Sequence, residues 1–237
     1  MINIADYDSE QAAFNACRAN KGGTLYVPGS EFNVDGLVFP HGTNIQGKWQ
    51  KTAILNGTLI MPNSQGGRAE NVSIESIDCV NMRDFKFDQV RFFGDTAVTL
   101  SGATYYNVFD MCKIESRIGY SVGKLCNANY IHNGRSNCKE FHVKFEDIAH
   151  GWYIHSVFEG NGRQAGSISL KGESHELHAC WYERSGNNKW MPATVLLDET
   201  TKYCRVVGGS RGYLFSVIDE GSQNICEPAL RLPSEYR

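Results

Sequence analysis

Glu159 and Glu183 stand in two look-alike segments, Ser156-Val157-Phe158-Glu159-Gly160-Asn161 and Cys180-Trp181-Tyr182-Glu183-Arg184-Ser185. Paired carboxyl groups hydrolyse glycosidic bonds, about 5 to 5.5 Å apart for retention or about 6.5 to 9.5 Å for inversion. If the fold stacks these segments, Glu183 would serve as the acid and Glu159 as the base or nucleophile, with Glu115, Glu146 or Asp147 nearby. The same glutamates also have a plainer use. Glu before Gly-Asn at a chain corner accepts backbone N–H bonds and holds the turn.

Aromatic and imidazole side chains crowd the same region: His150, Trp152, Tyr153, His155, His178, Trp181, Tyr182 and Trp190. Sugars pack their C–H faces on aromatic rings, and the polar tips of Trp and Tyr bond their hydroxyls. A glycan groove near residues 150 to 190 is therefore expected, with Trp152, His155, Trp181, Tyr182, Arg184 and Trp190 as binding residues. The competing use of these rings is to fill an interior. Trp190, in the polar run Asn187-Asn188-Lys189-Trp190, is the ring expected to be exposed. Arg163, Arg184, Arg205 and Arg211 can pair bidentately with acidic sugars. A lyase would need a base beside a neutralised uronate carboxylate. No dense Asp cluster of the calcium-binding kind is present, and no metal or cofactor is implied.

The elements that must hold these residues are mostly short strands. Residues 6 to 20 carry a helical pattern, with Ala12, Ala13, Ala16 and Cys17 on one face and Asp8 with Gln11 as a capping box. Lys21-Gly22-Gly23 stops it, and Thr24-Leu25-Tyr26-Val27 alternates as a strand up to Pro28. From there to about residue 215, alternating strands of four to six residues are separated by Gly, Asn, Asp and Ser. Glu159 recurs as Glu183 after 24 residues, another 24 reaches Cys204-Arg205-Val206-Val207, and Val90 and Cys112 stand 22 apart. A period in the low twenties favours a solenoid of three-stranded coils over a sandwich. One domain is expected over residues 1–237: a capping helix and turn over 6–23, coils over 24–210 and a cap or tail over 211–237. Pro62 to Glu70, Ser116 to Ser136 and Ser185 to Pro192 break the period and are expected to loop out.

Composition narrows the function. A formal charge of -3 gives no basic field for nucleic acid. No stretch approaches 18 apolar residues, and Met1 to Glu10 lacks the basic and apolar regions of a secretory signal, so no membrane insertion is expected. The eight cysteines show no CxxC pair or zinc spacing. Most lie in apolar runs and are read as reduced, buried thiols of a protein folded in a cytoplasm.

The run Glu10-Gln11-Ala12-Ala13-Phe14-Asn15-Ala16-Cys17, then Gly22-Gly23-Thr24-Leu25-Tyr26-Val27-Pro28-Gly29 and Phe32-Asn33-Val34, resembles the amino-terminal cap of pectate-lyase-like right-handed parallel β-helices. It departs from that pattern in having Pro-Gly-Ser-Glu-Phe where Pro-Ala-Gly-Thr-Tyr is more typical. Phe158-Glu159-Gly160-Asn161 and Tyr182-Glu183-Arg184-Ser185-Gly186-Asn187 resemble aromatic-Glu-x-Asn runs of bacteriophage tailspikes and tail fibres. The resemblance covers residues 8 to 210. It implies an all-β fold, a right-handed parallel β-helix with a short capping α-helix, and a homotrimer working with other phage tail proteins. It also implies a place in the virion tail and a bacterial surface polysaccharide, capsule or O-antigen, as the partner. Whether such a spike cleaves the glycan as an endo-glycosidase or only binds it as a receptor-binding or structural fibre is left open. A host polysaccharide lyase or hydrolase is the more distant reading.

Overall fold

Ser9 sets the start of the helix. In the computed structural model, which describes residues 1–161, 164–165, 167–184, 195–211 and 217–227, the α-helix spans Glu10–Ala19 and the Ser9 Oγ accepts the Ala12 amide at 3.2 Å. The cap thus falls one residue later than Asp8. Before it the chain forms a strand, Ile2–Asn3, and a 3-10 turn, Ile4–Asp6. The helix buries Ala13, Phe14 and Cys17. Phe14 joins the face because it stands three residues before Cys17 and Ala13 four before it, spacings that share one side of a helix. At Gly22 φ is +112°, and a Cβ there would come within 2.4 Å of the Gly42 carbonyl oxygen. The Gly-Gly stop is therefore a steric need. The strand Gly23–Val27 follows as expected and ends at Pro28.

Every later turn of the chain lays its strands on the turn before, in parallel. Sheet one carries one unbroken column of partners: Leu25, Ile45, Ala69, Phe87, Phe109, Ile131, Ile154, Leu177, Val206 and Cys226. Among the described residues these ten levels make nine turns. Sheet two carries Phe32, Leu55, Ile74, Phe92, Ile114, Ser136, Phe158 and Tyr182. Sheet three carries Leu59, Ile77, Val98, Tyr120, Val143, Ile168, Val195 and Val217. Because side chains alternate along a strand, each column keeps one face. The inner columns are almost all apolar and buried. Rings run through them: Phe87 stacks on Phe109 at 4.8 Å and 4°, and Phe109 meets Tyr120 edge-on at 5.1 Å. Burying each such side chain contributes about 1.5–3 kcal/mol relative to leaving it in water.

The corners recur as well. Just past sheet one, Asn71, Gln89, Met111, Asn133 and Ala179 all take positive φ, between 49° and 55°. The Met111 amide bonds the carbonyl of His132 one level on, at 3.0 Å, and the Gln89 amide that of Asp110 at 3.0 Å. At another corner the buried Asn107 and Asn129 form a ladder: the Asn107 Nδ2 and backbone N both donate to the Asn129 Oδ1, at 2.9 and 3.0 Å.

These repeats correct three expectations. Pro62 to Glu70 and Ser116 to Ser136 are coil and not excursions, since Gln65–Glu70, Lys113–Val122 and Tyr130–Phe145 are strands paired in parallel with the adjacent levels, with bulges at Ser116/Ile118 and His132/Gly134. Their Gly, Asn and Ser residues serve the corners, which carry the same residue signals as a loop. The third stretch, Ser185 to Pro192, lies outside the described residues. The step of 24 from Glu183 is also displaced: Val207 pairs with His178, and it is Ser210 that pairs with Trp181. Finally, coils continue beyond residue 210, with Val217–Asp219 on Val195–Leu197 and Ile225–Glu227 on Arg205–Val207.

All eight cysteines are free thiols, seven of them buried. Burial pushes the thiols of Cys112 and Cys126 up to about 12 and that of Cys180 to about 11. They are packing residues. Among the described residues, no helix is long and apolar enough to cross a membrane.

Candidate functional site

Sheet two holds the glutamate pair in its backbone register. Asn137, Glu159 and Glu183 are consecutive partners, and Glu115 precedes Asn137 in the same column. The repeat read from the sequence thus brings Glu159 and Glu183 onto adjacent levels, roughly 4.8 Å apart along the backbone. Beside this column runs another: Arg91, Lys113, Arg135, Val157 and Trp181. Its cations serve the acids. The Arg135 Nε donates to the Glu159 Oε2 at 2.6 Å, while Arg91 and Lys113 both pair with Glu115 at 2.8 Å. The hydrogen bond from Lys113, reinforced by Arg91, outweighs burial and holds the Glu115 carboxyl below its ordinary value. Glu115 is therefore an ionised strut and not a proton donor. Glu146, paired with Lys144 at 2.8 Å, belongs to sheet three's end and not to this column.

The predicted glycan-binding residues divide by strand alternation. Trp152 is 1% exposed and its Nε1 donates to the Cys126 carbonyl at 2.6 Å. Tyr182 is 3% exposed and stacks on Phe158 at 5.9 Å. Both are interior residues, which removes them from any sugar-contacting surface. Trp181, its neighbour, points out and is 51% exposed. His155 lies on the outer face of sheet one, half-buried. Arg184 pairs with Gly160 in the backbone register of sheet two. Trp190 lies outside the described residues, as does Arg163.

Around the corner from Trp181, sheet one displays a connected set of rings. Tyr130 and Tyr153 are partners on adjacent levels, as are His132 and His155. Tyr130 meets His132 at 5.7 Å, His132 meets Tyr153 edge-on at 5.3 Å, and Tyr153 stacks on His178 at 6.2 Å and 28°. The Tyr153 hydroxyl lies 3.4 Å from the His178 Nδ1. Burial, with help from the charge of Glu176, raises the Tyr153 phenol, so it stays a hydrogen-bond donor. Burial lowers His132, which Asp110 only partly offsets. One level before His132, burial works to raise Asp110, but bonds from the Lys86 Nζ at 3.0 Å and the Asn133 Nδ2 at 3.2 Å prevail and hold it ionised. The lower edge of the ring set is thus an ion-pair cluster.

No family model matches the sequence, and no curated protein matches it. Solved structures do match. The A-module of the mannuronan C-5 epimerase AlgE6 of Azotobacter vinelandii superposes with a TM-score of 0.50 at 10% identity, covering 97% of this chain and 94% of that one. ORF18 of Geobacillus virus E2 superposes with a TM-score of 0.51 at 12% identity, covering 96% of this chain but 59% of that one. The fold is the right-handed parallel β-helix. At such identity the likeness concerns the path of the β-helix and no side chain.

Tyr153, His155 and His178 stand in the region singled out in the sequence, whereas Tyr130 and His132 lie before it, yet they too leave a signal there. Tyr130-Ile131-His132 and Tyr153-Ile154-His155 are the same tripeptide, followed by Glu176-Leu177-His178. Each places its apolar middle residue in the core column and its polar flanks outside. Lys86 and Asp110 gave no such signal, because their pairing depends on stacking between levels.

Proposed function

We propose that this chain is the shaft of a bacteriophage tailspike or tail fibre that recognises a bacterial surface polysaccharide, capsule or O-antigen. In that reading it acts in the virion tail as a homotrimer, alongside other tail proteins. The observation that carries the recognition is the outward ladder of Tyr130, His132, Tyr153, His155 and His178, with Trp181 across the corner. Rings fixed on a rigid sheet at the spacing of successive coils offer a platform for the C–H faces of consecutive sugars, and the imidazoles and phenols offer partners for their hydroxyls. The phage ORF18 and the mannuronan epimerase module, which share the fold, support a phage or polysaccharide context by analogy.

A second reading, hydrolysis of the bound glycan, is favoured by one observation: Glu159 and Glu183 share a register position. Glu159, bonded by the Arg135 guanidinium, fits the base or nucleophile, which leaves Glu183 as the acid. Incubating the protein with purified capsule and lipopolysaccharide, then measuring co-sedimentation and reducing-end release, tests both. Retention without release supports a receptor-binding shaft. Release supports a depolymerase, and neither with any preparation argues against the glycan reading.

A further inference from the structure

Three consecutive coils reach the corner between sheet two and sheet three with different chemistry in equivalent places. Phe93, Glu115 and Asn137 occupy the last outward position of sheet two, and Asp95, Arg117 and Lys139 stand two residues further on. Together they line a groove of about 500 Å³, well apart from the ring ladder of sheet one. Its floor at Gly94 is glycine for a reason: a Cβ there would lie 2.6 Å from the Glu75 carbonyl oxygen and 2.0 Å from the Ser76 Oγ. The chain can pass this close only without a side chain.

The charges in the groove are already matched, with one exception. The Arg117 Nε and Nη2 grip both oxygens of Asp95 at 2.9 to 3.2 Å, and its Nη1 donates to the Glu140 Oε2 at 2.6 Å. Glu115 is held by Arg91 and Lys113. Among the described residues no carboxylate lies within ion-pair distance of Lys139, whose charge acts at longer range on Asp95, and the Asn137 side chain has no hydrogen-bond partner among them. The groove therefore presents, among the described residues, a wall of ion pairs, one cation without a direct ion pair, one amide without a hydrogen bond and the ring of Phe93. One face of that ring is covered by the Arg91 guanidinium at 5.5 Å.

We infer that this corner is a second binding site, distinct from the sheet-one platform, and that it takes an anionic sugar unit. The carboxylate or phosphate of the sugar sits on the Lys139 ammonium, its hydroxyls bond the Asn137 amide, and a C–H face rests against Phe93. A neutral sugar would gain nothing from the Lys139 charge, which without a bound anion acts only at longer range on Asp95. The locked guanidinium of Arg117 shapes the site and does not bind the anion, because Asp95 and Glu140 occupy its donors.

The test is a titration of isotope-labelled protein at low salt, followed by amide shifts, with trigalacturonate, its carboxyl-reduced counterpart and glucose 6-phosphate as probes. Shifts at Gly94, Ser116 and Lys139 with a charged probe, absent with the reduced trisaccharide, are expected. Lys139→Gln should weaken that binding at least tenfold while leaving the rest of the spectrum in place, since the side chain is exposed. Response to trigalacturonate alone identifies a uronate site, and response to both anions a general acidic-sugar site. The absence of corner shifts with either anion, or equal shifts with the reduced sugar, overturns the inference. Neither result touches the sheet-one platform, whose signals from Tyr153 and His155 report on it separately.

Discussion

Glu159 and Glu183 are direct partners in one parallel ladder, and Arg135 reaches Glu159 from the level before, at 2.6 Å. Two carboxylates on adjacent levels repel unless a cation or a shared proton intervenes. Either answer has a measurable sign. If the protein releases oligosaccharides, Glu183→Gln and Glu159→Gln should each lower kcat by 100-fold or more, about 3 kcal/mol in the barrier. If the pair only braces the coil, each variant should keep full activity and lose less than about 1 kcal/mol of stability, as expected for a pair whose arginine is 61% exposed.

Strand alternation separates two tryptophans with opposite uses. Trp152→Ala removes a buried ring and its bond to Cys126, and should cost about 3–5 kcal/mol in urea denaturation. Trp181→Ala should change stability by about 0.5 kcal/mol or less and reduce retention on polysaccharide. The reverse pattern would place the wrong tryptophan outside.

His175 makes stability depend on pH. It is fully buried, its Nδ1 accepts the Trp152 amide at 3.3 Å, and burial lowers its ionisation to about 4. A histidine depressed in the folded state is protonated first in the unfolded chain, so stability is complete above the unfolded value of about 6.5 and falls as pH drops toward 4. The expected loss is about 2 kcal/mol between pH 7 and pH 5. Urea midpoints across that range check it, and a flat profile would show that the ring is not buried neutral.

The corners offer a backbone test. Met111 is 47% exposed with φ of 49°, a conformation that disfavours side chains. Met111→Gly should therefore raise stability, by up to about 1 kcal/mol after the entropy cost of glycine. Gly94→Ala should lower it by about 1–3 kcal/mol, because the new methyl group meets backbone. Thermal melting of the two variants, moving in opposite directions, would confirm the geometry of the turns.

How far the sequence could be read follows from where each signal resides. The Gly22-Gly23 stop, the strand to Pro28 and the echo of Glu159 in Glu183 are local or strictly periodic, and all appear in the coils. The stretches around Pro62 and Ser116 were misjudged because a coil corner and a loop use the same residues. The longer turn between Leu177 and Val206 displaced the register that a fixed period of 24 implied. For Trp152 and Tyr182 the interior use prevails over sugar contact, a choice the sequence left open since large rings both fill solenoids and bind sugars. The pairing of Lys86 with Asp110 exists only once levels are stacked.

The recognition of a surface glycan through sheet one is tested most directly by the affinity of Tyr153→Ala and His155→Ala for the polysaccharide that the unmodified protein retains. Both side chains are outward and half-buried, so the variants should fold. Loss of one ring that stacks on a sugar corresponds to about 1–1.5 kcal/mol, a Kd at least fivefold weaker for each variant. Unchanged affinity in both variants, with the coils intact, would contradict the ladder as the binding surface.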